Sequence, residues 1–269
     1  MSDHSIAREA ILRLLSPDER IAMNLFELIL ESENPCLHTD RKSCILLQSN
    51  PQTPLWAWFA PSMDAESVES AAQFLSERIR LNPSLHVNAD PDRCAPVFQR
   101  TKALCGLQPA VVMPMNAYVC RKVRRPALRG QLSSPTEADV PAVASLLKQL
   151  VEDGEHSQIP DEAALSFAKS AVGSNSLFLW KDEAVCAMAM IAHRNAETAR
   201  INTVVTDRAR RGHGYAGMLV SSLYERLLSE GAAPMLYADA RNPSSNRAYQ
   251  KIGFEPVGPI TEYRWTAEF

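Results

Sequence analysis

The chain has 269 residues with a formal net charge of −3, and 46% of them are hydrophobic, which predicts packed cores in one large or two modest domains. The acidic balance supplies no general basic surface, so we expect no nucleic-acid partner. The apolar runs, such as 184–192, are far shorter than the roughly 20 residues needed to cross a bilayer, so we expect no membrane partner.

The six cysteines are scattered and form no C-x-x-C pair. The first residues, MSDHSIAREA, lack the apolar core of a secretion signal. These features predict a cytoplasmic protein with reduced, mostly buried thiols. We expect no metal site.

The amino-terminal half contains a strand, PLWAWFA, then a turn, the helix VESAAQFLSERI, the strand LHVNAD and the helix APVFQRTKAL. The first of these helices is apolar along one face, at Val68, Ala72, Leu75 and Ile79. Residues 121–130, RKVRRPALRG, combine positive charge with proline and glycine. They predict a linker between a domain at 1–120 and a domain at 131–269, with a nucleic-acid-binding patch as the less favoured alternative.

The carboxy-terminal half predicts the order β-α-α-β-β-β-α-β-α-β. A short strand leads to a helix capped by Ser134 or Thr136, and the helix DEAALSFAKSAV leads to a hairpin formed by SLFLWKD and AVCAMAMIAHR. The strand Ala199–Thr206 then precedes a helix that ends near Gly231 and is apolar at Tyr215, Leu219, Leu223 and Leu227. The last predicted elements are the strand MLYAD, the turn ARNPSSN, the helix RAYQKI with Gly253 as its cap, and a strand near EYRWTAEF.

The turn between strand 199–206 and the following helix contains Gly212 and Gly214, with Arg208, Arg210 and Arg211 beside them. The first N–H groups of a helix lack partners within the helix, and glycine lets a ligand approach the backbone closely. The positive end of the helix dipole favours an anion at this point. The turn therefore predicts a phosphate-binding site. A solvated cationic loop is the alternative, but it explains the arginines and not both glycines.

These residues resemble the GNAT superfamily of acetyl-CoA-dependent N-acetyltransferases. Arg211, Gly214 and Ala216 match its phosphate-loop pattern. The later stretch LYADARNPSSNRAYQKIGFEPVG is similar to the family's late strand, turn and helix, with matching residues Asn242, Asn246, Tyr249, Gly253 and Phe254. The resemblance covers residues 131–269 and implies an α/β fold with a mixed sheet.

The resemblance implies that backbone amides of Arg211–Ala216 hold the pyrophosphate of acetyl-CoA and that its pantetheine arm lies along Thr203–Thr206. A strand N–H, that of Val204 or Val205, would meet the oxyanion, and the Tyr249 phenol would protonate the departing thiolate. The implied cofactor contacts are Val204, Val205, Thr206, Arg211, Gly212, His213, Gly214, Tyr215, Ala216, Asn242, Asn246 and Tyr249.

Several of these roles have structural alternatives. Tyr249 could be a packing aromatic, and Asn242 and Asn246 could be turn or capping residues.

An alkyl ammonium of pKa about 10.4 must lose a proton before it attacks, an uphill step of roughly 4 to 5 kcal/mol at pH 7. A base or a water chain should therefore help. The strand 200–206 contains no carboxylate, and Glu197, His193 and Asp239 are nearby candidates of which none is assigned.

The amino-terminal half looks like a degenerate second copy of the same domain. A shift of 151 residues aligns Leu85 with Leu236, Phe98 with Tyr249 and Gln99 with Gln250. Asp64 and Glu66 occupy the turn where the other copy has arginines and glycines. Because carboxylates repel phosphates and Phe98 has no proton to donate, we expect this half to bind no CoA. We expect it instead to pack against the catalytic half and to shape or cover the acceptor cleft. An unrelated α/β domain is the alternative.

The sequence thus predicts an enzyme that transfers an acetyl group from acetyl-CoA to a primary amine of a small molecule or a peptide. A catalytically silent acyl-CoA-binding sensor or interaction module is the alternative from another class. An enzyme that uses a longer acyl donor is a third hypothesis. The fold does not identify the acceptor.

Overall fold

The computed structural model describes residues 9–124, 126–127, 129–155, 157–195 and 197–267. These residues form two compact units. The first contains residues up to 118 together with 237–243 and the residues from 256 onward, and the second contains 119–236 and 244–255. Each unit is therefore built from segments that are not continuous in the sequence.

The first unit contains a sheet with the strand order β1-β2-β3-β4-β11-β5. Pairing is antiparallel from β1 to β3, parallel between β3 and β4, and antiparallel between β4 and β11. The elements are β1 (Cys36–Thr39), β2 (Cys44–Gln48), β3 (Leu55–Phe59), β4 (His86–Ala89), β5 (Leu107–Cys120) and β11 (Phe254–Ala267), with helices α1 (Pro17–Ala22), α2 (Leu25–Leu30), α3 (Ala65–Leu81) and α4 (Ala95–Cys105).

Helix α3 has the apolar face that its sequence predicts. Ala72, Leu75 and Ile79 are buried in one core, and Val68 packs against its edge. Phe98 of α4 is buried in the same core and meets the rings of Tyr263 and Trp265 edge-on. The predicted strand-turn-helix-strand-helix order from β3 to α4 is confirmed.

The second unit contains the strand order β10-β9-β8-β7-β6, and β9 is parallel to β10 while the other pairs are antiparallel. A capping box between Thr136 and Asp139 begins a 3-10 turn that leads into α5. The elements are β6 (Gln131–Ser133), β7 (Leu177–Asp182), β8 (Ala184–Arg194), β9 (Thr198–Thr206) and β10 (Ala233–Asp239), with helices α5 (Val140–Glu155), α6 (Asp161–Gly173), α7 (Tyr215–Ser229) and α8 (Pro243–Ile252).

The predicted mixed α/β architecture and the element order of the carboxy-terminal half are confirmed. Two boundaries were wrong. The last helix begins at Pro243 and not at Arg247, because proline is well suited to the first turn of a helix, where its missing N–H costs nothing. The last strand begins at Phe254 rather than near Glu262.

The predicted domain boundaries divide the chain once, whereas the compact units share it in several segments. The predicted boundaries at 1–120 and 131–269 stay a prediction. Among the described residues of 121–130, the backbone is tied to the second unit. The carbonyl of Arg121 accepts from the Tyr224 hydroxyl at 3.0 Å, and the carbonyl of Arg129 accepts from Trp180 Nε1 at 2.7 Å.

All six cysteines are free thiols, and Cys44, Cys94, Cys120 and Cys186 are buried, as predicted. Within the described ranges, no helix has both the length and the apolar character needed to span a bilayer. The same ranges contain no cluster of three or more His, Cys, Asp or Glu side chains suited to a metal ion.

Candidate functional site

Strand β9 carries a bulge near its centre. Asn202 pairs with Met190 of β8 and Val205 pairs with Met188, so Thr203 and Val204 together face a single residue of β8. Thr203 has φ +52°, which is uncommon for a β-branched residue. A bulge leaves one residue outside the regular pairing and re-aims the neighbouring groups. The predicted oxyanion donors, the N–H groups of Val204 and Val205, therefore lie in or beside this irregularity.

The parallel pairing of β9 with β10 covers the start of both strands, from Thr198–Ala233 to Arg200–Met235. Strand β9 continues as far as Thr206, and its later residues pair with β8 in the described part of the chain. Val205 is buried in the core that α5 and α6 form with the sheet, while Val204 and Thr206 are partly exposed. The contact of the pantetheine arm with Thr203–Thr206 stays a prediction.

The turn that follows β9 leaves a row of backbone donors open. Gly212 and Gly214 have φ +83° and +81°, and Gly214 is the N-cap of α7. The first helical donor is the N–H of Met218, which meets the Gly214 carbonyl at 3.0 Å. Within the described residues, the N–H groups from Gly212 to Gly217 have no hydrogen-bond partner. Open donors at the positive end of a helix fit a phosphate.

Two of the three arginines of this turn bind protein carboxylates, and the third, Arg210, donates to Cys186 Sγ at 3.7 Å. Arg208 donates to Glu152 at 2.7 Å and to Asp153 at 2.5 Å, and its N–H meets Gln149 Oε1 at 2.8 Å. Arg211 pairs with the same Asp153 and donates its Nε–H to the Thr206 carbonyl at 3.2 Å. Asp153 therefore ties both ends of the turn to α5. It follows that the backbone donors, rather than these guanidinium groups, give the turn its capacity for an anion.

Other residues of the turn hold its shape. The His213 ring nitrogen Nδ1 lies 3.0 Å from the Arg211 carbonyl, and the ring stacks on Tyr215. Tyr215 is buried, and its hydroxyl donates to Asp182 at 2.5 Å. Tyr215 and Ala216 therefore present only their backbone N–H groups as possible phosphate contacts.

Helix α8 carries Tyr249 and Asn246, and Asn242 lies just before the helix. Tyr249 is half-buried, with its ring edge-on to Phe254 at 5.8 Å between centroids. Burial raises the pKa of the Tyr249 phenol above its ordinary value, although a hydrogen bond with Ser245 opposes this. The phenol is therefore protonated at neutral pH, as a proton donor must be. Asn246 is buried within α8 and not in the preceding turn, so the predicted turn 240–246 ends too late.

The three base candidates differ in their surroundings. His193 is largely exposed, yet desolvation of its ring and the charge of Arg200 lower its pKa to about 4. Burial raises the pKa of Asp239, but Arg241, which binds both carboxylate oxygens, outweighs this and holds it below the usual range. Glu197 is exposed at the hairpin between β8 and β9. Neither His193 nor Asp239 has the raised pKa that suits a general base.

Comparisons with known proteins agree with this geometry. A family model described as FR47-like protein matches residues 179–266. A GCN5-related N-acetyltransferase from Kribbella flavida superposes with a TM-score of 0.62 at 13% identity, over 93% of this chain and 95% of that one. A tandem GNAT protein from the clavulanic acid biosynthesis pathway gives a TM-score of 0.53 at 12% identity, over 97% of this chain and 95% of that one. The chain has the tandem GNAT fold.

A further structure with this fold, a GCN5-related N-acetyltransferase from Sphaerobacter thermophilus, gives a TM-score of 0.58 at 14% identity and covers 94% of this chain and 90% of that one. No curated protein matches the sequence. At these identities the GNAT fold is established, and the reaction is a separate question.

The first unit has, in β3, α3 and β4, the same β-α-β arrangement as β9, α7 and β10 of the second unit, but its helix begins differently. Asp64 is the N-cap of α3, and its carboxylate accepts from the Ser67 N–H at 2.7 Å. A carboxylate of the chain therefore occupies the place where an anion would bind in the second unit. This observation supports the prediction that the amino-terminal half binds no CoA.

Sequence reasoning missed several residues of this candidate site. Asp153 binds Arg208 and Arg211, which follow it by 55 and 58 residues in the sequence. No local sequence pattern predicts such a distant pairing. The bulge at Thr203 was also missed, because β-branched residues such as its neighbours favour regular strands. Asn202, directly before the bulge, was not considered.

Proposed function

We propose that this chain is an N-acetyltransferase that transfers an acetyl group from acetyl-CoA to a primary amine of a small molecule or a peptide. The observation that carries the proposal is the row of open N–H donors from Gly212 to Gly217 at the start of α7. These donors directly follow a strand with a bulge at Thr203 and Val204. A strand with a bulge, followed by a turn that can bind an anion, suits a ligand that carries both a thioester and a phosphate.

The turn is sterically open to a phosphate group. A Cβ built on Gly212 meets no atom within 4 Å, and one built on Gly214 meets only Met218 Cε at 3.9 Å. Nothing from the described protein therefore fills the space beside these glycines. The residues present fit the pyrophosphate of acetyl-CoA, whose thioester supplies an activated acetyl group.

The proposed reaction forms a bond between the amine nitrogen and the acetyl carbon and breaks the carbon–sulfur bond. A backbone N–H of Val204 or Val205 would stabilise the oxygen that gains negative charge. Tyr249 would donate its proton to the sulfur, and the proton that the amine loses would balance it through solvent. The products are an N-acetyl amine and CoA with a free thiol.

A second candidate, a silent acyl-CoA-binding module, is favoured by one observation. Two of the base candidates near β9, His193 and Asp239, have lowered pKa values, which does not suit the deprotonation of an alkyl ammonium. A binding module would keep the open turn and would need no base. The enzyme instead requires an amine that is neutral when it arrives or that loses its proton to water.

One pair of measurements separates the two candidates. Calorimetric titrations with acetyl-CoA and with a longer-chain acyl-CoA test whether the protein binds this cofactor and which acyl length it prefers. Release of CoA thiol in the presence of a panel of primary amines then tests turnover. Binding with amine-dependent thiol release supports the enzyme, binding without it supports the sensor, and the absence of binding contradicts both.

A further inference from the structure

Two bulges enclose a short segment of β9. One lies in β9 at Thr203, and the other lies in β8, where His193 is inserted between Ala192, which pairs with Arg200, and Arg194, which pairs with Ala199. Thr203 and His193 both have positive φ, at +52° and +46°. Non-glycine residues in this region are strained, and such strain concentrates at functional sites.

Asn202 and Arg200 share one face of the sheet in this segment. Asn202 pairs with Met190 and Arg200 pairs with Ala192, and residues that alternate along a strand point to the same side. Met190 packs at the edge of the core beneath α5 and α6, so the two polar residues lie on the face those helices cover. A side chain of an acceptor molecule that reaches this face would meet both.

The amide oxygen of Asn202 is a buried acceptor. Its Oδ1 has almost no solvent contact and no hydrogen-bond partner among the described residues. Buried polar atoms in proteins are normally hydrogen-bonded, so an orphaned acceptor indicates a donor that binds there. Asn202 directly precedes the bulge at Thr203 and Val204, and the N–H of Val204 is one of the proposed oxyanion donors of the reaction centre. An amine N–H placed on Oδ1 would therefore be next to that centre.

Arg200 lies two residues before Asn202 on β9, so its positive charge begins from a position about 7 Å away along the strand. Its Nη1 lies 3.1 Å from His193 Nδ1, an exposed contact that holds the guanidinium beside the bulge in β8. A guanidinium has five N–H donors in a fork that fits a carboxylate, so it can contact several groups at once. A positive charge here also disfavours acceptors that carry several ammonium groups.

We propose that Asn202 and Arg200 select an acceptor that carries a carboxylate close to its amine, that is, an amino acid or a similar amino carboxylate. Asn202 accepts a hydrogen bond from the amine, and Arg200 binds the carboxylate. Both are positioning residues and take no part in the bond changes. The inference rests on the proposed acetyl transfer and narrows its substrate class.

The test uses matched pairs of amines on the full-length protein. Each pair contains an α-, β- or γ-amino acid and its amide, and kcat/KM is measured by CoA thiol release and corrected for the neutral fraction of each amine. We expect the wild type to prefer the carboxylate by about 10- to 100-fold in the best pair, as for a charge-assisted contact. Arg200→Gln should abolish that preference, and Arg200→Lys should restore part of it.

Two further variants serve as controls. Arg194→Gln removes an exposed arginine from the same hairpin, where it pairs with Glu230, and should keep the preference. Asn202→Ala should lower kcat/KM for both members of a pair by about 10-fold, because the amine is common to both. Acetyl-CoA affinity, measured by calorimetry, should be unchanged in every variant.

The outcomes separate the two proposals. Loss of acetyl-CoA binding by the wild type would overturn acetyl transfer, and the present inference with it. Three outcomes would overturn the inference about Arg200 alone, provided that acetyl-CoA binds normally. They are equal kcat/KM for the carboxylate and the amide, a preference for the amide, and no acetylation of any amino acid. If Arg200→Gln does not fold, the preference of the wild type still decides.

Discussion

Two glycines at opposite ends of α7 give a matched test of the proposed phosphate-binding turn. Gly214 begins the helix and Gly231 follows its end, and both have φ +81°. A Cβ meets only Met218 Cε at 3.9 Å in the first case and no atom within 4 Å in the second. Replacing either by alanine therefore imposes the same backbone strain and no serious clash with the described protein.

The magnitude follows from this symmetry. A left-handed conformation costs an alanine roughly 1–2 kcal/mol, so Gly214→Ala and Gly231→Ala should lower the melting temperature by a similar few degrees. Only Gly214→Ala places a methyl group beside the open N–H donors. Loss of one hydrogen bond to a charged phosphate costs about 1.5–3 kcal/mol, which weakens Kd by about 10- to 150-fold.

The assay combines thermal melting with calorimetric titration of acetyl-CoA on both variants and the wild type. We expect equal melting shifts, with affinity lost in Gly214→Ala and retained in Gly231→Ala. Unchanged affinity in Gly214→Ala would refute the assignment of the pyrophosphate to this turn. A loss of affinity in both variants would indicate general damage to α7 rather than a local block.

Three further predictions follow from other residues. Tyr249→Phe should keep the packing on Phe254 and the acetyl-CoA affinity. It should lower kcat by about 10²- to 10⁴-fold, as removal of a general acid does, and stopped-flow measurement of thiol release would check this value. An unchanged kcat would make Tyr249 a packing residue. Glu19 accepts from Trp58, Ser16 and Arg93, which outweigh its burial and lower its pKa from 4.5 to about 2. Its contribution to stability, at most about 3 kcal/mol, is therefore complete above pH 4.5 and lost as the pH falls towards 2. Urea unfolding of Glu19→Gln should show a deficit at pH 7 that shrinks over that interval, and a constant deficit would contradict the pKa. Because Asp64 caps α3, calorimetry of the wild type should give one acetyl-CoA per chain, whereas two sites would show that the amino-terminal half also binds.

The sequence alone predicted those features that depend on neighbouring residues. Gly212 and Gly214 mark a turn because glycine tolerates positive φ, and the spacing of Leu219, Leu223 and Leu227 marks a buried helical face. The hairpin of β7 and β8 and the capping of α5 by Thr136 have the same local origin. These signals also carried the resemblance to the GNAT fold.

Only the tertiary structure decided which distant groups meet. The pairing of β11 with β4 joins residues near opposite ends of the chain, such as Tyr263 and Val87, and puts the last strand in the first unit. Asp153 reaches Arg208 and Arg211 from another helix, and the bulge at Thr203 arises from its register with β8. Periodicity and turn chemistry fix local dihedral angles, whereas strand register and ion pairing depend on packing between segments that are remote in the chain. For that reason the glycine turn before α7 was visible in the sequence, and the carboxylate that holds it was not.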